Sequence, residues 1–283
     1  MSSHFVQSEL IRRSAIGFVR VCAQAQFWRY GPRVFINSIP KAGTHLFASE
    51  LSRFPTLHNS RLHILTRDVN LCADNREHRL EFEADTVKFE KSVGRVRCGQ
   101  FFSSHLPYDQ NLANTLRHLS LRSLFVVRDP RDILVSEFHY ITRLRRHHLH
   151  QKVMSMRNDV DRYRALAFGI DCTPPIPSVA YLLGAFGGWL HCEDVLVLRF
   201  EDLVGARGGG DDTVKAQTLH AIANHCGLPT DGIDDRATTA SGPTATLRKG
   251  KANAWRGEIP DEIVERLHAE SGDLIRAYGY AVD

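Results

Sequence analysis

Short runs of apolar residues alternate along this chain with longer stretches of helical composition. The apolar runs fall near residues 33–38, 96–102, 122–128 and 194–199. The helical stretches fall near residues 44–53, 130–148, 212–226 and 260–278. Strands that alternate with helices favour parallel pairing, because each helix returns the chain to the same end of the sheet. The pattern predicts an α/β fold with a central parallel β-sheet flanked by helices and a ligand crevice at the carboxyl ends of the strands.

The whole chain, residues 1–283, is expected to form one domain. Its 283 residues and hydrophobic fraction of 43% are enough for one sizeable core. Residues 1–30 are predicted to form an N-terminal helical extension that packs on the domain or, as a weaker alternative, rests on a membrane surface. Residues 54–95 and 150–192 do not follow the alternation, and we interpret them as insertions.

The first candidate site follows the first apolar run. Pro40 and Gly43 form a turn around Lys41, and a helix is expected from Thr44. Unpaired backbone N–H groups and the helix dipole converge at such a turn, so it is a candidate phosphate cradle. In the Walker A motif lysine follows the second glycine, whereas here it precedes Gly43, so an ATP or GTP phosphotransferase is disfavoured. A plain turn with a solvated lysine is the alternative.

A second candidate site lies at the third predicted strand. Arg128 falls at the strand's carboxyl end, Asp129 is suited to cap a helix and Pro130 to begin it. Ser136 lies about two turns into that helix. An arginine and a hydroxyl together suit a phosphate monoester. Alternatively, Arg128 pairs with Asp132 or Asp129 and only holds the turn.

A third basic segment lies near the C-terminus. Arg248, Lys249 and Lys251 flank Gly250, which permits close approach of the backbone to an anion. Trp255 is placed to anchor this loop to the domain. A solvated basic loop is the alternative interpretation.

These three segments, in this order, resemble the PAPS-dependent sulfotransferases, especially the cytosolic type, where PAPS is 3′-phosphoadenosine 5′-phosphosulfate. The sequence P-K-A-G-T at residues 40–44 resembles the family's loop around the 5′-phosphosulfate. Arg128 and Ser136 match the family's arginine and serine that bind the 3′-phosphate, and R-K-G at residues 248–250 resembles the loop that closes over that phosphate. The likeness extends from about Arg33 to Trp255. It implies PAPS as donor, PAP as product and no metal. It also implies these nucleotide-binding residues: Lys41, Ala42, Gly43, Thr44, His45, Leu46, Arg128, Ser136, Phe200, Arg248, Lys249 and Gly250.

A fourth match supplies a candidate catalytic base. Residues 105–107, H-L-P, resemble the family's T-H-L-P segment, with Ser104 where threonine is usual. The resemblance implies that His105 is the general base, and an ordinary imidazole is largely neutral near pH 7. Lys41 would stabilise the charge that grows on the oxygen joining sulfur to the departing phosphate.

The chain departs from the family pattern around the adenine. The family's tryptophan after the phosphate turn is absent, and Leu46 and Phe47 stand in that neighbourhood. Phe47 could stack on adenine, although its register is off by one. Phe200 replaces a usual tyrosine and lines the adenine pocket or belongs to the core.

The composition of the chain limits the classes of ligand and partner that are expected. The net charge is +4, with basic residues concentrated at residues 143–152, which suits an anionic donor. No motif interleaves aromatic and basic residues, so nucleic acid is not expected. His147, His148 and His150 lack further metal ligands at suitable spacing, which favours a solvated helical face. Six cysteines without C-x-x-C pairs indicate reduced, buried thiols and a cytoplasmic location.

The composition of residues 57–95 bears on the nature of the acceptor. Residues 57–95 mix charges of both signs, unlike a pocket for a steroid or a simple phenol. In this family such insertions shape the acceptor pocket, so a polar hydroxyl acceptor, such as a sugar, a glycan or a polar metabolite, is expected. The competing hypotheses are a non-catalytic adenine-nucleotide-binding scaffold and a nucleoside or sugar kinase.

Overall fold

The computed structural model describes residues 27–72, 81–172, 175–231, 233 and 251–282. Within these ranges the five strands are β1 Val34–Ser38, β2 His58–Ile64, β3 Gln100–Ser104, β4 Arg122–Val127 and β5 Val195–Arg199. They form one parallel sheet in the order β2-β3-β1-β4-β5. The predicted fold class is therefore confirmed.

Helices connect and flank these strands. Those that follow β1 along the chain are α1 Thr44–Leu51, α2 Thr86–Val93, α3 Gln110–His118, α4 Pro130–Arg143, α5 His150–Met154, α6 Asp159–Phe168, α7 Val179–Gly187, α8 Phe200–Leu203, α9 Asp212–Cys226 and α10 Asp261–Ala277. The four helices predicted from composition correspond to α1, α4, α9 and α10. The expected helix over residues 130–148 ends earlier, at Arg143, because the chain turns where His147 N–H donates to Leu144 O.

The two central strands carry the strongest apolar signal. All five residues of β1 are buried, and so are five of the six residues of β4. A strand between two neighbours in a covered parallel sheet has no face in water, so it becomes a continuous apolar run. β3 was expected at residues 96–102 but occupies Gln100–Ser104, because Val96 and Gly99 belong to the preceding turn.

The edge strand β2 was not predicted. It lies within residues 54–95, which we interpreted as an insertion, and its burial alternates between exposed and half-buried positions until Ile64. An edge strand with few apolar residues gives neither a continuous apolar run nor a clear alternation. The division into one domain with two insertions remains a prediction.

The candidate site lies at the carboxyl ends of three neighbouring strands, β3, β1 and β4. Their carboxyl ends lead directly into His105, the turn around Lys41, and Arg128. The chain leaves β1 toward β2 on one side, while β4 lies on the other. Diverging connections of this kind open a crevice at the carboxyl edge of a parallel sheet.

Two other predictions concern features outside the site. Cys226 is buried as expected, but four other cysteines are only half-buried, so the expectation of buried thiols is wrong for Cys72, Cys98, Cys172 and Cys192. Across the described part of the chain, no helix is both long enough and apolar enough to pass through a bilayer. Most of the predicted N-terminal extension, residues 1–26, lies outside the described residues.

Candidate functional site

A cavity of about 360 Å³ opens at the carboxyl ends of the central strands. Nine of the residues predicted for catalysis or nucleotide binding line it: Lys41, Gly43, Thr44, His45, Leu46, His105, Arg128, Ser136 and Phe200. Ala42 is fully buried beneath the turn instead. Arg248, Lys249 and Gly250 lie outside the described residues. The segments singled out from the sequence therefore meet in one place.

The turn after β1 leaves backbone amides available to an anion. The Ala42 N–H donates to Ile39 O at 3.0 Å, which closes a turn with Pro40 in its second position and Lys41, at φ 69°, in its third. Helix α1 then begins at Thr44 with Gly43 as its N-cap and no side-chain cap. Six other described helices have a side-chain cap: Asp85, Asp109, Asp129, Asn158, Ser178 and Asp211. The first amides of α1 are thus positioned to hold a phosphate.

Gly43 is required at this turn for two reasons. Its φ is 101°, a conformation that L side chains rarely adopt, and a Cβ there would overlap the Phe200 ring. Phe200 is itself fully buried, so it cannot move aside cheaply. The turn therefore lies directly against the residue that the sequence suggested for the adenine pocket.

Gly43→Ala is expected to destabilise the protein by about 1–3 kcal/mol and to weaken PAP binding, because backbone strain and the overlap with Phe200 both displace the cradle. Gly227→Ala is the matched control, since Gly227 has φ 66° but open space around its Cα. Urea unfolding and calorimetric titration with PAP measure the two effects. Equal losses in both variants would mean that contact with Phe200 has no part in shaping the turn.

The Lys41 side chain extends from the turn to helix α4. Its ammonium is 3.4 Å from the centre of the Tyr140 ring, a cation–π contact. Burial lowers the pKa of Lys41, while the nearby Glu137 carboxylate opposes that shift and Arg128 adds to it. Burial raises the pKa of Glu137 in turn, with Lys41 opposing. A lysine in this half-buried position acts as a strong local charge on whatever anion enters.

The His105 ring is held with one nitrogen facing the protein. Its Nδ1 is 2.9 Å from Ser38 O and 3.1 Å from Ser38 Oγ. A carbonyl oxygen can only accept, so Nδ1 carries the proton and Nε2 retains its lone pair. Ser38 Oγ also lies 2.6 Å from Thr44 Oγ1, which links the imidazole to the start of α1. The arrangement leaves Nε2 as a base.

Asn37 fixes the backbone that carries this imidazole. Its side chain donates to Leu106 O at 2.8 Å and accepts from the Leu106 N–H and the Ser104 hydroxyl, both at 2.9 Å. The His105 carbonyl accepts from Thr66 Oγ1 at 2.7 Å. Buried and fully paired polar networks of this kind specify one geometry. Nothing in the sequence alone distinguished Asn37 from an ordinary strand residue.

His105 is expected to titrate near pH 4 rather than near pH 6.5. Burial lowers its pKa to about 4, and His63, His45 and Lys41 act in the same direction against the Ser38 hydrogen bond. NMR titration of the histidine rings, with His105→Gln to assign the signal, measures this. The folded pKa lies below the unfolded value, so the stability that depends on neutral His105 is present above pH 6.5 and is lost as the pH falls toward 4. A midpoint near 6.5 would contradict the burial that we assign to this ring.

Arg128 connects three parts of the site. Its guanidinium donates to Lys41 O at 3.3 Å and to Lys251 O at 3.2 Å, and it lies 4.3 Å from the centre of the Phe200 ring. Asp132 is its nearest anionic neighbour, at 3.8 Å. Asp129 pairs with Arg131 instead and caps α4 as predicted. Arg128 thus steadies the turn and also faces the cavity.

The described end of the C-terminal basic segment is anchored to the domain. Trp255 is buried, and its backbone N–H donates to Asp132 Oδ1 at 2.9 Å. The Ala252 N–H donates to Gly208 O at 2.9 Å, so the glycine-rich stretch after β5 contacts this segment. Lys251 and Ala254 reach the cavity.

Several cavity residues were not predicted from the sequence, or were predicted to have a different environment. Asp132 and Tyr140 were not proposed as site residues, although they lie four residues either side of Ser136 on α4 and so share its face. His147 was expected on a solvated helical face but is half-buried in a turn beside the cavity, and burial lowers its pKa to about 4. Phe47 is fully buried in the core and cannot stack on adenine, whereas Leu46 lines the cavity.

No group of three or more His, Cys, Asp or Glu side chains within the described ranges is arranged to hold a metal ion. The described residues that line the cavity include a lysine, an imidazole, an arginine and the amides at the start of α1. That set matches the transfer of an anionic group to a hydroxyl by positioning and fixed charge.

Comparison with known proteins identifies the family. A crystal structure of mouse sulfotransferase SULT7A1 complexed with PAP is 18% identical over 92% of this chain and 92% of its own, with a TM-score of 0.54. A crystal structure of retinol dehydratase in a complex with retinol and PAP is 17% identical over 90% of this chain and 85% of its own, with a TM-score of 0.50. At these identities the likeness is one of fold. No curated protein sequence matches significantly. The family model of the sulfotransferase domain matches residues 31–204, which is more than half of the chain, and the chain therefore belongs to the sulfotransferase domain family.

Proposed function

We propose that this protein moves the sulfuryl group of PAPS to a hydroxyl of a polar acceptor, either a sugar or glycan or a polar small metabolite. The observation that carries the proposal is the meeting of Lys41, His105 and Arg128 around one cavity. These residues follow three neighbouring strands and are far apart in the chain. Their convergence supports a single reaction centre.

The donor follows from the family. As a member of the sulfotransferase domain family the protein is a PAPS-dependent sulfotransferase, which releases PAP. The predicted 3′-phosphate ligands Arg128 and Ser136 line the same cavity as the uncapped start of α1. In the proposal one end of the nucleotide rests on α4 and its phosphosulfate rests on the turn after β1. No metal is required, since a lysine and backbone dipoles supply the positive charge, and the proposed location is cytoplasmic.

In the proposed mechanism the acceptor hydroxyl attacks sulfur while His105 Nε2 accepts its proton. The bond between sulfur and the phosphate oxygen breaks as the new sulfur–oxygen bond forms. Lys41 stabilises the charge that grows on that bridging oxygen, and the amides of Gly43, Thr44 and His45 hold the phosphate. Fixed donors and positioning contribute most of the rate, as in phosphoryl transfer.

The polar acceptor is supported by polar side chains that line the same cavity as Lys41. Four of these side chains carry a hydrogen-bonding group: Tyr140, His147, His45 and Glu137. A cavity lined in this way favours an acceptor with several polar groups over a purely apolar one, because unpaired buried polar groups are costly. A small-molecule acceptor of some kind agrees with the complex that retinol dehydratase, a neighbour in fold, forms with retinol.

Turnover of PAPS labelled with ³⁵S, measured against a panel of sugars, glycans, polar metabolites and simple phenols, tests the proposal. We expect labelled product and PAP to form only with an acceptor, and the polar acceptors to have the highest kcat/KM. PAP binding without turnover on any acceptor would favour a nucleotide-binding scaffold. Magnesium-dependent consumption of ATP would favour a kinase, and highest activity on apolar phenols would overturn the acceptor class.

A further inference from the structure

Asp132 is a buried carboxylate in the wall of the donor cavity. Its side chain is 0% exposed, and it lies one turn before Ser136 on the face of α4 that lines the cavity. Asp132 Oδ1 accepts the backbone N–H of Trp255 at 2.9 Å. Among the described residues, Asp132 Oδ2 has no hydrogen-bond partner. Arg128 Nη2 is 3.8 Å away, beyond hydrogen-bonding distance.

The other carboxylates around Arg128 have their oxygens paired. Asp129 accepts from Arg131 with both oxygens, at 2.9 and 2.8 Å. Glu201 accepts the Asp129 N–H at 3.0 Å and the Tyr280 hydroxyl at 2.9 Å. Of these three acids, Asp132 is the one with an oxygen that has no hydrogen-bond partner among the described residues, and it is also the one that lines the cavity. A further proton in this cluster would therefore be held by Asp132 Oδ2.

Binding of a phosphate at Arg128 would bring the negative charge of the phosphate close to that of the Asp132 carboxylate. In the proposed function, Arg128 and Ser136 hold the donor's 3′-phosphate, and both share the cavity wall with Asp132. An anion bound to Arg128 then lies near a carboxylate oxygen of Asp132 that is shielded from water and receives no hydrogen bond. Two acidic groups in such contact share a proton, because the ionisation of one opposes that of the other.

The pKa of Asp132 is already raised in the protein without a ligand. Burial raises the pKa of Asp132 to about 6, while Arg128 and the Trp255 N–H oppose the shift and Asp129 and Glu201 add to it. A phosphate dianion acts in the same direction as Asp129 and Glu201, so in this proposal it raises the pKa of Asp132 further, beyond neutrality.

We propose that Asp132 takes up one proton from solvent when the 3′-phosphate binds, and that its carboxyl O–H then donates a hydrogen bond to a phosphate oxygen. The inference rests on the proposed function, since it needs the 3′-phosphate at Arg128. It makes Asp132 a direct ligand of the donor, in its acid form. Donor affinity should then fall as the pH rises above 6, by up to about tenfold per pH unit.

Calorimetric titration of the full chain with PAP at pH 7.5, in buffers of different ionisation enthalpy, measures the uptake. We expect between about half a proton and one proton taken up per PAP bound. Asp132→Asn is expected to abolish the uptake and to bind PAP with little dependence on pH, because its amide donates permanently while its oxygen still accepts the Trp255 N–H. Glu137→Gln is the matched control, since Glu137 is the other cavity acid whose pKa burial raises, and its uptake should match that of the wild type.

Uptake that persists in Asp132→Asn, or that disappears in Glu137→Gln, would overturn the assignment, and so would the absence of uptake by the wild type. If Asp132→Asn does not fold, infrared difference spectra of the wild type decide the matter. A protonated carboxyl band should grow on addition of PAP and not on addition of adenosine 5′-monophosphate, which lacks the 3′-phosphate. Sulfuryl transfer without proton uptake would defeat this inference alone. Uptake without transfer to any acceptor would defeat the proposed enzyme activity alone.

Discussion

His105→Ala is expected to lower kcat by roughly 10²–10⁴-fold while PAP affinity stays close to that of the wild type. The His105 Nδ1–H donates to Ser38 O, which orients the ring and leaves Nε2 with a free lone pair. Removing it leaves the acceptor proton without a base. The Asn37 network and the cradle remain in place, so nucleotide binding should persist.

His118→Ala is the control for this prediction, because His118 is an exposed histidine at the end of α3. Steady-state turnover with labelled PAPS and calorimetric titration with PAP give the two quantities. Near-normal turnover of His105→Ala would remove the base assignment. A parallel loss of PAP affinity would instead make His105 a structural support for the turn, acting through Ser38.

Lys41→Ala is expected to lower kcat by roughly 10²–10³-fold, the usual cost of losing one preorganised charge donor, with a much smaller effect on PAP affinity. PAP lacks the sulfuryl group, and the charge that Lys41 meets grows mainly as the sulfur–oxygen bond breaks. Lys41 is half-buried and its ammonium contacts the exposed Tyr140 ring, so folding should be little changed. Comparing kcat with the PAP dissociation constant separates the two roles.

Lys88→Ala is the matched lysine control, since Lys88 lies on the exposed side of α2 and pairs only with Asp85 at 3.1 Å among the described salt bridges. The assignment would fail if Lys41→Ala lost PAP affinity but kept its turnover at saturating donor, since Lys41 would then be a binding residue only.

The sequence was most informative where burial and chain geometry leave few choices. β1 and β4 are buried on both faces, so their apolar runs were readable, and the turn between them and their helices is marked by Pro40, Gly43 and Pro130. The resemblance then added the order of the anion sites. Lys41, His105 and Arg128 could be placed at one sheet edge because parallel strands end together.

Features that depend on long-range contacts could not be read in this way. β2 is an edge strand whose polar residues gain their structure only by pairing with β3. Phe47 looked like a stacking residue, but the turn of α1 directs it into the core and leaves Leu46 toward the cavity. Asn37 and Asp132 acquire their roles from Leu106 and Trp255, which lie 69 and 123 residues away along the chain.

A crystal structure of the protein with PAP tests the central claim most directly, namely that one cavity holds the whole reaction. We predict the 3′-phosphate within hydrogen-bonding distance of Arg128 and Ser136, and the 5′-phosphate on the amides at the start of α1. Lys41 and His105 should then face the space just beyond that phosphate from opposite sides. PAP bound in another cavity, or in this one with its two phosphates exchanged, would contradict the account.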